Sequence, residues 1–250
     1  MTTTHPTRAS RPDRLLRRLA LATSAGIALT LLPVTGIAGA ETFTDPNDRC
    51  LPDADAPPAM VADRAQIDDV HKPSVDCLYA MGITNGTTAT TYSPKAPTTR
   101  GQMATYIVQS LRAAGYTLPA PGENTFTDIS GNTHEASIRQ LATIGVTKGT
   151  TPTTFSPEQP VRRDQMASFM VQAAEWAFGD TEFLVGDEPV PVFADVQPNN
   201  VHYDNVNSGA AVLGLVSGKS ATMFDPGMLT SREQMASFLV RLVDLTLIVE

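Results

Sequence analysis

Arg100, Arg163 and Arg232 are the residues of this chain best suited to chemistry, because each stands in the same local setting. Each is followed directly by a residue and then Gln-Met-Ala, as in Arg100-Gly101-Gln102-Met103-Ala104. A guanidinium at the first turn of a helix can hold a carboxylate through two parallel hydrogen bonds, next to amides that have no intrahelical partner. The alternative is that each arginine pairs with a nearby carboxylate, for which Asp128 and Asp195 are the candidates. Gln102, Gln165 and Gln234 follow at the third helical position. With Thr99 and Ser231 ahead of them they complete capping boxes, whereas Arg162 replaces the hydroxyl in the second copy and predicts a weaker cap there. Arg162 adds a further cation to the same site.

Other groups are weaker candidates. His71, His134 and His202 occupy matching positions ahead of a shorter helical segment. They either converge on one zinc ion or, in the reading adopted here, pack each against its own module, so no metal and no cofactor is assigned. Asp53, Asp55, Asp68 and Asp69 are plentiful acids, but no nucleophile–base pair or phosphate loop accompanies them, and no catalytic residue is assigned. Cys50 and Cys77 are the only cysteines, and in an exported chain they predict a disulfide.

The arginines belong to a unit written three times. From Gly86, Gly149 and Gly218 the chain places an aromatic residue six positions on, proline eight, arginine fourteen and glutamine sixteen. Upstream of each glycine lies an apolar pattern of helical period, such as Ile138, Leu141 and Ile144, closed by a glycine. Downstream of each arginine runs a longer stripe, for example Met166, Phe169 and Met170. Two helices per unit are too few to enclose a core, so the three must pack on one another. The predicted fold is mainly α, with three two-helix modules in pseudo-three-fold symmetry around a shared helical bundle.

The expected boundaries are residues 1–40 as a signal peptide, 41–118, 122–187 and 188–250 as the three modules, with linkers near 115–125 and 179–191. Five arginines precede the apolar run that ends in Ala38-Gly39-Ala40, a cleavable export signal. The Phe-Thr-Asp that opens module two at Phe126 has its counterpart for module one at Phe43 to Asp45, which implies an insertion near 46–66. The whole chain carries a formal charge of −8. Without residues 1–40, which hold five arginines and one aspartate, 13 basic and 25 acidic side chains remain, a formal charge of −12. That balance excludes a nucleic-acid partner, which needs a basic stripe, and after cleavage no membrane partner is expected.

Taken together, Phe-x-Asp-Val/Ile, Gly-Ile/Val-Thr-x-Gly, aromatic-x-Pro and Thr-Arg-x-x-Met-Ala resemble the S-layer homology module, over nearly all of residues 43–250. The resemblance implies a compact pseudo-symmetric unit whose inter-module grooves bind an anionic secondary cell-wall polysaccharide, often through an acidic ketal. It places the family's arginine on Arg100, Arg163 and Arg232, and its motif glutamate on Gln102, Gln165 and Gln234. It further implies a non-enzymatic protein at a bacterial cell wall or surface. Two alternatives stay open: a secreted adaptor or S-layer-associated protein with a protein partner, and a cell-wall glycan hydrolase.

Overall fold

The computed structural model describes residues 61–179, 192–211 and 213–248. The export segment, Cys50 and most of the second linker lie outside these residues. Among the described residues six α-helices follow one another: α1 (Lys72–Ala80), α2 (Arg100–Ala113), α3 (Glu135–Thr143), α4 (Arg163–Phe178), α5 (Tyr203–Ala211) and α6 (Arg232–Ile248). Among the described residues the extended segments form only isolated bridges and no sheet. The fold is mainly helical, with one short and one long helix per module.

The modules are interleaved rather than stacked. The long helices α2, α4 and α6 touch pairwise, and each short helix packs on the long helix of the module before it: α3 on α2, α5 on α4, and α1 on α6. The last pairing closes the set into a ring. One buried cluster therefore serves all three modules, with Met103, Ile107, Met166, Met170, Met235 and Leu239 of the long helices fully enclosed. A second ring runs through the backbone just ahead of the long helices. Thr98 N donates to Thr230 O, Thr230 N to Val161 O, and Val161 N to Thr98 O, each at 2.9 Å.

Each module is fixed internally by one carboxylate. Asp128 accepts the amides of Phe155 and Ser156 at 2.9 and 2.7 Å, and Asp195 those of Phe224 and Asp225 at 2.8 and 2.7 Å. These bonds hold Ser156 and Asp225 at φ 58° and 63°, a left-handed conformation that a non-glycine residue seldom takes. In module one the same task falls to Asp63, which accepts from Tyr92 and Ser93 at 2.9 and 2.6 Å. The expected lead, Phe43 to Asp45, lies outside the described residues, and within them Val61-Ala62-Asp63 takes the equivalent place. Ala62 N donates to Thr90 O just as Thr127 N donates to Thr153 O, so residues 61–66 belong to the module and do not interrupt it.

The register change has a packing counterpart. Phe126 and Phe193 face Phe155 and Phe224 at centroid distances of 5.7 and 5.1 Å. Val61 is too small for that role, and Tyr79 of α1 faces Tyr92 instead, at 6.0 Å. The matching α3 position is Ala142. In all three modules the ring edge lies on a glycine: a Cβ at Gly86, Gly149 or Gly218 would sit 2.5–2.6 Å from Tyr79 Oη, Phe126 Cε1 or Phe193 Cε1. Gly214 ends α5 at φ 61° as Gly82 and Gly145 end α1 and α3, so the third module keeps this turn. If Tyr79 replaces the missing phenylalanine, Tyr79→Ala destabilises by about 2 kcal/mol, and adding Val61→Phe restores most of the loss. Urea unfolding of the single and double variants measures this, and additive losses would rule out the exchange.

Candidate functional site

The chemistry-bearing residues gather where one module's long helix meets the next module's loop. The first amides of each long helix, which sequence alone leaves without partners, are all consumed there. Arg100 N and Gly101 N donate to Gln159 O and Pro157 O of module two. Arg163 N and Asp164 N donate to Met228 O and Pro226 O of module three, and Arg232 N and Glu233 N to Ala96 O and Pro94 O of module one. Gln102, Gln165 and Gln234 turn their Oε1 back to the N-cap amides at 3.2 Å. The free-amide anion site expected at these helix starts is therefore corrected: neighbouring carbonyls already occupy it.

The three arginines reinforce the same joints. Arg100 Nε donates to Phe155 O at 2.7 Å, Arg163 Nε to Phe224 O at 2.8 Å and Arg232 Nε to Tyr92 O at 2.7 Å. Each guanidinium also lies over that aromatic ring, 4.6, 4.7 and 4.7 Å from its centroid. The residues are 4%, 4% and 2% exposed. A charge-assisted hydrogen bond and a desolvated cation–π contact at one point make a strong joint. Burial pulls the Arg100 guanidinium down to about 10, opposed by Asp128, which leaves it charged at neutral pH. The alternative of an ion pair with Asp128 or Asp195 is corrected: the oxygens of those carboxylates accept loop amides. Those two aspartates shape the loops.

The junctions differ at the second position of the long helix, which is Gly101, Asp164 or Glu233. Asp164 is buried, accepts Arg162 Nε and Nη2 at 3.1 and 3.0 Å, and reaches Asn200 Nδ2 of module three at 3.1 Å. Its Oδ1 also takes the amide of Gln165 at 2.8 Å. The cap that Arg162 cannot supply, having no acceptor, is thereby replaced. Glu233, also buried, accepts Lys95 Nζ at 2.6 Å and Asp68 N at 3.0 Å. At Gly101 a Cβ would lie 2.8 Å from His134 Cδ2, so the histidine fills that space. Sequence reasoning passed over Lys95, Asp164 and Glu233. Their signal was variation at a fixed offset inside an otherwise repeated motif.

The histidines bridge modules and do not converge. Nδ1 of His71, His134 and His202 lies 2.8 Å from Ser237 Oγ, Thr105 Oγ1 and Ser168 Oγ, each on the preceding module's long helix. The expected packing within their own modules is corrected accordingly. Among the described residues no group of three His, Cys, Asp or Glu is arranged for a metal. Cys77 is fully buried on α1, and its expected partner Cys50 lies outside the described residues.

A closed trio of equivalent helical modules, joined by arginine and carbonyl at each seam, is an architecture built from tandem repeats. Three segments, residues 65–104, 125–167 and 209–236, match the S-layer homology domain. The chain is an S-layer homology domain protein with three tandem modules, and its association is with the cell surface. It is 26% identical over 184 residues to an S-layer protein of Bacillus thuringiensis subsp. finitimus, covering 74% of this chain and 21% of that protein. It is 26% identical over 171 residues to an endoglucanase of Bacillus sp. (strain KSM-635), covering 68% of this chain and 17% of the enzyme. The exoglucanase XynX of Acetivibrio thermocellus is 24% identical over 180 residues, 71% of this chain and 16% of that protein. The chain thus spans about a fifth or less of the length of these relatives. No helix among the described residues is long and apolar enough to cross a membrane.

Burial lowers the affinity of all three histidines for a proton relative to the ordinary value of 6.5, with nearby carboxylates opposing it. The unfolded chain therefore binds protons that the folded chain resists, and stability falls as pH drops through and below about 6.5. The melting temperature decreases between pH 7.5 and 5.5, above the range where carboxylates titrate, and His→Gln at positions 71, 134 and 202 flattens the decrease. An unchanged slope in that triple variant would assign the effect elsewhere.

Proposed function

We propose that this chain is an exported bacterial protein that attaches non-covalently to the cell wall by holding an anionic, ketal- or carboxylate-bearing polysaccharide in its inter-module grooves. The observation that carries the reading is the recurrence at every seam of a guanidinium fixed by a carbonyl and a ring. A cation already ordered and partly dehydrated contacts an anion with little further loss of freedom. Nε is engaged in all three of Arg100, Arg163 and Arg232, and Arg163 also gives Nη2 to Ser217 O at 2.8 Å and Arg232 its Nη1 to Tyr106 Oη at 2.5 Å, so the edge left for an anion is largest at Arg100. The remaining contacts fall to the exposed Arg162 and to the Nε2 groups of Gln102, Gln165 and Gln234.

The role is binding rather than turnover. The S-layer homology domain is a binding module, and the relatives' glucanase names describe proteins several times longer. Export with cleavage after Ala40 and a Cys50–Cys77 bridge belong to the same proposal.

Purified protein is expected to sediment with protein-free cell walls and to stay in solution once the walls' acidic polymers are removed. Sedimentation that survives that removal would eliminate the anionic ligand. No sedimentation with intact walls would eliminate wall attachment and favour a protein partner. Single Arg→Lys changes at 100, 163 and 232 keep the charge but not the fork. Each lowers wall binding and costs about 1–3 kcal/mol of stability, read by circular dichroism on the same samples.

A further inference from the structure

The three seams share a backbone frame but not a charge pattern, and the difference selects among them. At the seam between modules one and two the helix start offers Thr99 and Gly101, and its exposed charge is Glu158, which accepts Asn132 Nδ2 at 2.9 Å. At the seam between modules three and one the cation is Lys95, held at 2.6 Å by both Asp68 and Glu233. One ammonium there faces two carboxylates. At both seams the exposed carboxyl groups weigh against the attraction that the buried Arg100 or Arg232 would offer a further anion.

The seam between modules two and three is different. Its cation is Arg162, whose side chain is 46% exposed and is matched by the single carboxylate of Asp164. Asp164 grips one edge of the fork, through Nε and Nη2, so the guanidinium is oriented while Nη1 stays outside that pair. Asn200 shares Asp164 with it from across the seam, and Asn205 reaches Ser168 Oγ further along α4. Val201, next to Asn200 in the chain, is 88% exposed. A guanidinium, amide groups and an exposed apolar side chain are the set that reads a sugar with one acidic substituent: charge for the acid, amides for hydroxyls, apolar surface for the ring's C–H face.

The arginine is also not the cap of the helix it precedes. Thr99 and Ser231 cap their helices at the equivalent position, whereas Arg162 cannot, and Asp164 assumes that duty. A break in local helix-start chemistry with a compensating neighbour marks a position kept for another purpose. We infer that the seam between modules two and three is the one that takes the acidic sugar, with Arg162 reading its carboxylate and Asn205 and Val201 contacting the sugar. This rests on the wall-attachment reading and narrows it to one groove.

One substitution per seam tests it, with binding to protein-free wall fragments measured alongside thermal unfolding. Arg162→Ser installs the hydroxyl cap of the other modules, so the fold is expected to persist while affinity falls about tenfold. Arg162→Gln, which keeps the stem, gives the same loss. Lys95→Gln and Glu158→Gln leave affinity within about twofold. If Lys95→Gln weakens binding or Glu158→Gln strengthens it while both Arg162 variants bind as before, the working groove is another one and wall attachment survives. If the unaltered protein fails to bind the fragments, the attachment reading itself falls.

Discussion

The structure depends on where the exposed amides of three helix starts find their acceptors. An α-helix begins with amides that its own turns cannot satisfy, and buried ones are costly to leave unpaired. Here the acceptors are carbonyls of a different module, and the relation runs one way: one to two, two to three, three to one. No module can complete its long helix alone. The arginines add a charged joint at the same places, and the short helices repeat the exchange by packing on the preceding long helix. Cohesion and symmetry thus have a common origin.

That arrangement changes what the repeated arginine means. Its recurrence suggested a ligand-binding group before any geometry was known, and its placement makes it first a joint between modules. The two roles are compatible, because a side chain locked by a carbonyl and a ring has few rotamers left to lose when an anion approaches. The seams then divide the work. All three supply rigidity, while the residues that differ between them, Gly101, Asp164 and Glu233 with Lys95, Glu158 and Arg162, decide what each mouth presents.

Much of the fold was legible because the sequence writes the module three times with fixed offsets. Helix periods, closing glycines and capping boxes all appear where the side chains placed them. The seams were not legible for a plain reason: their acceptors are peptide carbonyls at Pro157, Gln159 and their equivalents, and a carbonyl has no letter of its own. The lead of module one is harder to read because Phe43-Thr44-Asp45 matches the motif by letter, whereas Val61-Ala62-Asp63 matches it by function. The missing ring had moved to Tyr79, on another element, and a motif aligned position by position does not register such a transfer.

The closing contacts join residues 140 apart in the chain, as between Arg232 and Tyr92. Modules one and two can meet through neighbouring segments, but the short helix of module one has no long helix to lie on until α6 exists. Assembly must therefore hold an early-made surface open until the final helix arrives, and the search for that contact carries the largest loop-closure cost in the fold. A shape that looks even-handed among its three parts is built by a process that treats the last of them as the keystone.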